Sequence, residues 1–404
     1  MQVAVITPFL PWPADTGGKL RSFYLLKGLA ESAQVDLFSF HHGPTPPDPG
    51  DLAAICRSVE SIQLAGDPSL GNPVSVLRNP LPRAVRYFQD GQSLETLRHK
   101  LARGYDLIIS DEIILSPYVW DVPGLEQTPR LVIRHKIDHL HYAETARNRP
   151  MGREKALDYL EARRLRTFEA AEMPRFNATV VCSPEDKEHA LAQSGAIPTE
   201  VIVNGADTDY FTPVRTPDAQ PTLLFLGTMH YFPNIDAVRW YFRSIHESVR
   251  AALPDVQVFI VGHRPPPDIV ALGERPGVVV TGSVDDVRPW MARSWAQIVP
   301  LRLGGGTRLK IVEAMAAGLP VISTTVGAQG LEVRSGAQMV LADEPEDFAR
   351  KTVALLQDKD GRERMARAAR TFVEHHYSWQ MLGRRYADFC RATVERAQRR
   401  VPHP

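Results

Sequence analysis

PLRLGGGTRLKIVEAMAAGLPVISTTVGAQG, from Pro300 to Gly330, leads out of an apolar strand, AQIVP, through three consecutive glycines, Gly304, Gly305 and Gly306, into a helix. Glycine has no β-carbon, so its backbone N–H groups approach a ligand closely. The first turn of a helix adds unpaired N–H donors and the positive end of the peptide dipole, a setting that suits phosphate. Thr307 opens that turn, Arg308 and Lys310 bring formal positive charge, and Glu313 follows in the same helix. A further apolar run, PVIST, comes next, so the stretch reads as strand, glycine loop, helix, strand of an α/β layer.

Helical geometry sorts the side chains. At about 3.6 residues per turn, Ile311, Val312, Met315 and Ala316 form one apolar stripe, with Lys310 and Glu313 on the other side. Two readings stay open at this point. One is a solvated Lys–Glu pair of small energetic worth. The other has Glu313 accepting both hydroxyls of a ribose while Lys310 neutralises a phosphate.

The same alternation runs outward in both directions. VAVIT (Val3 to Thr7), VDLFSF (Val35 to Phe40), DLIIS (Asp106 to Ser110), RLVIR (Arg130 to Arg134) and ATVVCS (Ala178 to Ser183) read as buried parallel strands. Helical patterns separate several of them, clearest from Gly18 to Glu31 and from Arg153 to Glu172. Four prolines between Pro198 and Pro221 mark a connector, after which PTLLFLG, VQVFIVG, GVVVTG, AQIVP and PVIST restart the pattern. Two doubly wound, Rossmann-like α/β domains facing a central cleft are therefore expected, with the ligand at the carboxyl ends of the strands.

Composition narrows the function. A chain of 404 residues exceeds one ordinary core, and 44% hydrophobic residues suffice for two. The formal net charge of +0 gives no field for nucleic acid. Cys56, Cys182 and Cys390 are odd in number and far apart, which argues against a disulfide framework or structural zinc and fits a reducing compartment. No apolar run reaches membrane-spanning length, and MQVAVITPFLPWP reads as a first strand and loop, so a soluble cytoplasmic protein is expected. The segment Trp379 to Arg400 is amphipathic and basic, which reads as a solvated face ahead of a peripheral contact with the inner membrane face.

Several segments, taken in order, resemble the group 1 glycosyltransferases of the GT-B fold. They are PFLPWPADTGGKLRSFYLLKGLA (Pro8 to Ala30), FEAAEMPRFNATVVCSPEDKEHAL (Phe168 to Leu191), NGADTDYFTP (Asn204 to Pro213), GTMHYFPNIDAVRWY (Gly227 to Tyr241), TGSVDDVRPW (Thr281 to Trp290), GGGTRLKIVEAMAAGLPVIST (Gly304 to Thr324) and HYSW (His376 to Trp379). The resemblance spans nearly the whole chain. It implies an acceptor-binding domain over residues 1–200, a nucleotide-sugar-binding domain over 201–378, and a helix over 379–404 that returns to the first domain. The implied reaction moves a sugar from a nucleotide-diphosphate sugar to an acceptor hydroxyl. It retains anomeric configuration and uses neither a metal nor a further cofactor. Polysaccharide or glycolipid synthesis is the implied setting, the acceptor being a glycan, a lipid-linked sugar or a small molecule.

The resemblance also assigns residues. Glu313 would hold the ribose, the backbone from Gly305 to Lys310, with Gly306, Thr307 and Arg308 between, would cradle the diphosphate, Gly304 and Gly227 would also bind the donor, and Thr281 to Asp285 would border the base. Gly17 and Gly18 would face the donor phosphates. His135, at the carboxyl end of RLVIR in a region where the family often has a histidine, either bonds the transferred sugar or is an ordinary loop histidine. Two departures stand out. A glutamate that many members carry eight residues before the ribose-binding one is Gly305 here, and the loop GTMHYFPNID lacks the arginine and lysine that many members aim at the diphosphate. Arg308 and Lys310 are the available replacements for that charge.

Other candidates have simpler readings. Asp207-Thr208-Asp209 imitates a metal-binding Asp-X-Asp but sits in the connector, where turn-forming Asp is expected. His135, His139 and His141 cluster after RLVIR, and His135 with His139 would share a helix face, yet no matching cysteine or carboxylate pair is evident. Gly17 and Gly18 also fit a plain turn capped by Thr16. Two other functions compete: a sugar-nucleotide epimerase on the same fold, and a nucleotide-sugar-binding protein without catalysis.

Overall fold

A computed structural model describes residues 1–65, 78–229, 231–303 and 309–400. Gly304, Gly305, Gly306, Thr307 and Arg308 thus lie outside the described residues. The chain divides into two compact units, Met1–Val203 with Leu382–Pro404, and Asn204–Met381.

The strands of the first unit are β1 (Gln2–Thr7), β2 (Gln34–His41), β3 (Ser58–Gln63), β4 (Leu107–Asp111), β5 (Arg130–Ile133), β6 (Ala178–Val181) and β7 (Thr199–Val201). They form one sheet in the order 3-2-1-4-5-6-7, with every neighbouring pair parallel. The five β-branched runs are all strands of it. β3 and the three-residue β7 were not anticipated. Both are edge strands, where one covered side suffices and the apolar signal is weak.

The second unit repeats the design with β8 (Thr222–Leu226), β9 (Gln257–Val261), β10 (Val278–Gly282), β11 (Ala296–Val299), β12 (Val321–Ser323) and β13 (Val340–Leu341). The order is 10-9-8-11-12-13, again parallel throughout. Every residue of β4, β5 and β8 is buried, as expected of a strand covered on both faces. Each large apolar side chain so placed contributes about 1.5–3 kcal/mol.

Strand order reverses between β1 and β4 in one sheet and between β8 and β11 in the other. The crevice beyond the carboxyl ends at such a reversal is where doubly wound sheets bind ligands. Gly17 and Gly18 follow β1, Asp111 ends β4, Gly227 follows β8, and the helix Leu309–Ala316 follows β11. That helix buries Ile311, Val312, Met315 and Ala316, the anticipated stripe, together with Ala314.

The connector is a turn. Asp207 Oδ1 accepts the amides of Asp209 and Tyr210, both at 2.9 Å, which is what a turn-forming aspartate does. Arg370 fastens it by donating to the carbonyls of Thr208 at 2.9 Å and Phe211 at 2.6 Å, and also to that of Ala316 at 2.6 Å.

From Leu382 onward the final helix, Trp379–Arg400, belongs to the first unit. Leu382, Tyr386 and Cys390 are buried, whereas Arg384, Arg391 and Arg396 are exposed. Arg385 Nη2 reaches Glu200 in β7 at 2.7 Å. Gly383 meets Gly28 of the helix Gly17–Ala30 so closely that a β-carbon on Gly28 would fall 2.4 Å from Gly383 Cα. Among the described residues, no helix is long and apolar enough to cross a membrane.

Candidate functional site

In the second unit, glycine is required where β8 and β9 end. The Gly227 amide donates to the Val261 carbonyl at 3.1 Å, and a β-carbon on Gly262 would sit 1.8 Å from the Gly227 carbonyl oxygen. A β-carbon on Gly227 would lie 2.8 Å from the Asn234 amide and equally close to Lys310 Nζ. The space beside Gly227 is thus filled by polar groups that leave no room for a larger residue.

Lys310 is held in that ring from several sides. Its ammonium donates to Asn234 Oδ1 at 2.7 Å and lies 5.0 Å from the centroid of the Phe225 ring. Asn234 Nδ2 in turn donates to the Thr228 carbonyl at 2.9 Å, and Gln297 Nε2 to the Lys310 carbonyl at 2.8 Å. Asn234 was not anticipated. Its signal is local: Pro233 and Asn234 open the helix Phe232–Ser244, whose start points back to the end of β8. Arg302 was also missed. It forks onto Asp236 at 2.6 and 3.1 Å, tying the segment after β11 to the same helix.

Glu313 lies one turn beyond Lys310 on the partly exposed side of its helix. Burial pushes its carboxyl up to about 7, against the pull of Lys310. Among described residues none donates a hydrogen bond to it. A cation fixed by an amide, with an unengaged carboxyl one turn away, can bind phosphate and hydroxyl groups together.

At the end of β10, Thr281 Oγ1 donates to the Gly282 carbonyl at 2.9 Å. Gly282 takes φ 70°, and its carbonyl accepts the Gly262 amide at 3.0 Å. His263 Nδ1 and Ser283 Oγ are 2.6 Å apart, and Asp285 is exposed just beyond. Thr281, Gly262 and Gly227 therefore share the carboxyl edge of one sheet.

In the first unit, Gly17 and Gly18 are exposed in the first turn of the helix Gly17–Ala30, and nothing lies within 4 Å of a β-carbon on Gly18. Thr16 stands at the cap position, where its carbonyl accepts the Leu20 amide at 2.8 Å while its hydroxyl makes no cap bond.

His135 is partnered by groups from two other elements. Its Nε2 is 2.6 Å from Asp111 Oδ1, and Ser22 Oγ donates to Asp111 Oδ2 at 2.5 Å. Burial disfavours the imidazolium, but Asp111 more than offsets this and raises the His135 pKa. Burial likewise disfavours the Asp111 carboxylate, yet His135 and Ser22 hold its pKa below the usual range. The two shifts agree on a charged pair.

The expectation that His135 shares a helix face with His139 is corrected. The helix Asp138–Asn148 begins only after Ile137, which is extended, so His135 lies ahead of it. His139 Nδ1 is 2.8 Å from Glu169 Oε2, in a network where Arg134 Nη2 reaches Glu169 Oε1 at 3.1 Å and Gln193 donates to Oε2 at 2.8 Å. Glu112 was not singled out in the sequence. It has φ 106°, rare for a residue with a side chain, and its buried Oε2 has no hydrogen-bond partner. Burial and the nearby Asp138 carboxylate push its carboxyl up to about 7. The acidic pair Asp111-Glu112, closing a buried strand at a sheet reversal, was the available signal.

Comparison with known proteins adds the following. Residues 220–358 match the family described as Glycosyl transferases group 1. The D-inositol 3-phosphate glycosyltransferase of Corynebacterium glutamicum is 23% identical over 418 residues, covering 91% of this chain and 90% of that protein. Sucrose-phosphate synthase from Thermosynechococcus elongatus superposes with a TM-score of 0.66 at 19% identity, over 98% of this chain and 100% of that one. HepE of Anabaena, solved with UDP and glucose, gives a TM-score of 0.62 at 15% identity, over 96% and 99% of the two chains.

Proposed function

We propose, from the match of residues 220–358 to the group 1 glycosyltransferases and the GT-B fold shared with solved glycosyltransferases, that the chain transfers a sugar, with retention, from a nucleotide-diphosphate sugar to an acceptor hydroxyl. The carrying observation is the ring around Gly227: Lys310 fixed by Asn234, with Glu313 one turn away. In this reading Lys310 and Arg308 take the diphosphate, Glu313 takes the ribose hydroxyls, and Thr281 to Asp285 border the base. That HepE was solved with UDP and glucose supports a donor of this class. The first unit receives the acceptor, His135 bonding the transferred sugar.

The bond from the anomeric carbon to the diphosphate breaks, and its electron pair stays on the departing phosphate oxygen. Lys310, Arg308 and backbone N–H groups stabilise that charge. The acceptor oxygen forms the new bond, and its proton passes to the leaving phosphate. No step calls for a bound metal. The acceptor is a glycan, a lipid-linked sugar or a small molecule; the D-inositol 3-phosphate glycosyltransferase is named for an acceptor of the last kind.

Thermal shift against UDP- and GDP-sugars tests the reading, since a ligand that binds the native state raises its stability. One donor should raise the melting temperature, and Glu313→Ala and Lys310→Gln should each remove that rise while leaving the unliganded melt in place. Incubating the preferred donor without acceptor should return the same sugar, at most slowly hydrolysed. An altered sugar would mean an epimerase, and donor binding without transfer to any of a broad acceptor panel would mean a non-catalytic binding protein.

A further inference from the structure

The second unit has a cavity of about 790 Å³ far from the carboxyl ends of its strands. Arg215, Trp295, Lys359, Arg362, Arg367 and Arg370 are among its lining residues. It lies at the opposite edge of the sheet from Gly227 and Lys310: the Trp295 amide donates to the carbonyl of Thr222, the first residue of β8, at 2.8 Å. Gly227 follows the last residue of that five-residue strand, a span of roughly 15 Å at the usual rise.

The cavity carries positive charge at Arg215, Arg362 and Lys359 that no contact ion pair among the described residues cancels, Asp358 and Glu363 attracting Arg362 only at longer range. Arg215 donates to the Met291 and Ser294 carbonyls at 3.3 and 2.6 Å, and Arg362 to the Leu355 carbonyl at 2.9 Å and to that of Leu356. Carbonyl oxygens orient a guanidinium without cancelling its charge. Among described residues, no carboxylate forms an ion pair with Arg215, Arg362 or Lys359. The acids that line the wall are engaged: Asp218 holds Arg293 at 3.0 and 3.1 Å, and Glu363 lies 3.9 Å from Arg367. Asp358, beside the cavity, caps a helix through the Gly361 amide at 2.8 Å. Burial, with the charge of Arg362 added, pushes Arg215 down to about 10.

The remaining wall is apolar. Arg362 lies 4.3 Å from the centroid of Trp295, whose Nε1 is committed to the Asp218 carbonyl at 2.8 Å, and Pro213, Pro217 and Pro320 complete the surface. Two like-charged guanidiniums beside an aromatic ring and prolines match one ligand chemistry: an anion joined to an apolar body.

We propose that this cavity is a second ligand site, separate from the donor site, for a small organic phosphate ester whose phosphate meets Arg215, Arg362 and Lys359 and whose apolar body packs on Trp295. Arg370 also bonds the carbonyl of Ala316, the last residue of the helix that carries Lys310 and Glu313, so a ligand here touches the same framework as the donor site.

Calorimetric titration of the full-length protein with phenyl phosphate, inorganic phosphate and phenol tests the proposal. Phenyl phosphate should bind saturably and at least about tenfold tighter than either fragment. Lys359→Glu, at an exposed position that should not disturb folding, and Arg362→Gln should each weaken it about tenfold or more, while Lys310→Gln leaves it unchanged. Absence of saturable binding, equal binding by either fragment, or retention of affinity in both cavity variants would overturn the site. Loss of binding in Lys310→Gln would place the phosphate at the donor site and overturn it too.

Discussion

Glu313 and His135 carry opposite pH signatures. A carboxyl whose folded pKa is raised makes folding less favourable as pH climbs from its unfolded value towards the folded one, about 7 for Glu313. Glu313→Gln should therefore melt higher than the parent at pH 8 and alike at pH 4. Donor binding through Glu313, as proposed, should have the reverse dependence, because the ionised carboxylate is the better acceptor of hydroxyls. Parent affinity should rise by about tenfold from pH 6 to pH 8 and stay low and flat in Glu313→Gln, as read by calorimetry. For His135 the raised pKa means that its pairing stabilises the fold below the unfolded value, near 6.5, and that this is lost as pH rises through the folded value. Asp111→Asn should cost about 1–3 kcal/mol in urea melts, more at pH 6 than at pH 9. His135→Ala should cut turnover strongly with little change in donor affinity; near-normal rates would remove it from the site. That Lys310 and Glu313 share a helix, off its buried stripe, was legible in the sequence because helical spacing is a local pattern. The partner of Lys310 was not: Asn234 stands 76 residues away, and only the folding of β8 beside β11 brings them together. Nor does any local rule announce that Glu112 takes positive φ with a buried, unbonded oxygen.

Among elements, the parallel strands announced themselves through β-branched runs covered on both faces. The edge strands β3, β7 and β13 did not, because a strand with one neighbour can be short or polar. The stripe on Leu309–Ala316 was equally plain, and it sets the position of Lys310 and Glu313, the two candidate side chains. Ile311→Ala should cost about 2–5 kcal/mol in denaturant unfolding, since Ile311 is fully buried. At the strand ends, Gly262→Ala would drive a β-carbon into the Gly227 carbonyl. The expected result is about 1–3 kcal/mol of lost stability, with donor affinity falling alongside because Gly227 shares the displaced loop. A stable variant with parental affinity would show that the two strand ends are not coupled.

For the whole chain, the alternation of strands and helices and the proline-rich connector made two α/β sheets legible from sequence. The meeting of Gly28 and Gly383, backbone against backbone, was not, because each glycine is unremarkable beside its own neighbours. That meeting makes the amino-terminal half discontinuous along the polypeptide. A recombinant fragment ending at residue 203 would lack the cover that Leu382, Tyr386 and Cys390 provide and should precipitate. Splicing residues 382–400 behind it through a flexible tether should restore solubility, and a bulky substitution at Gly383 should undo the rescue. Anyone wishing to study that half in isolation must carry the tail along with it.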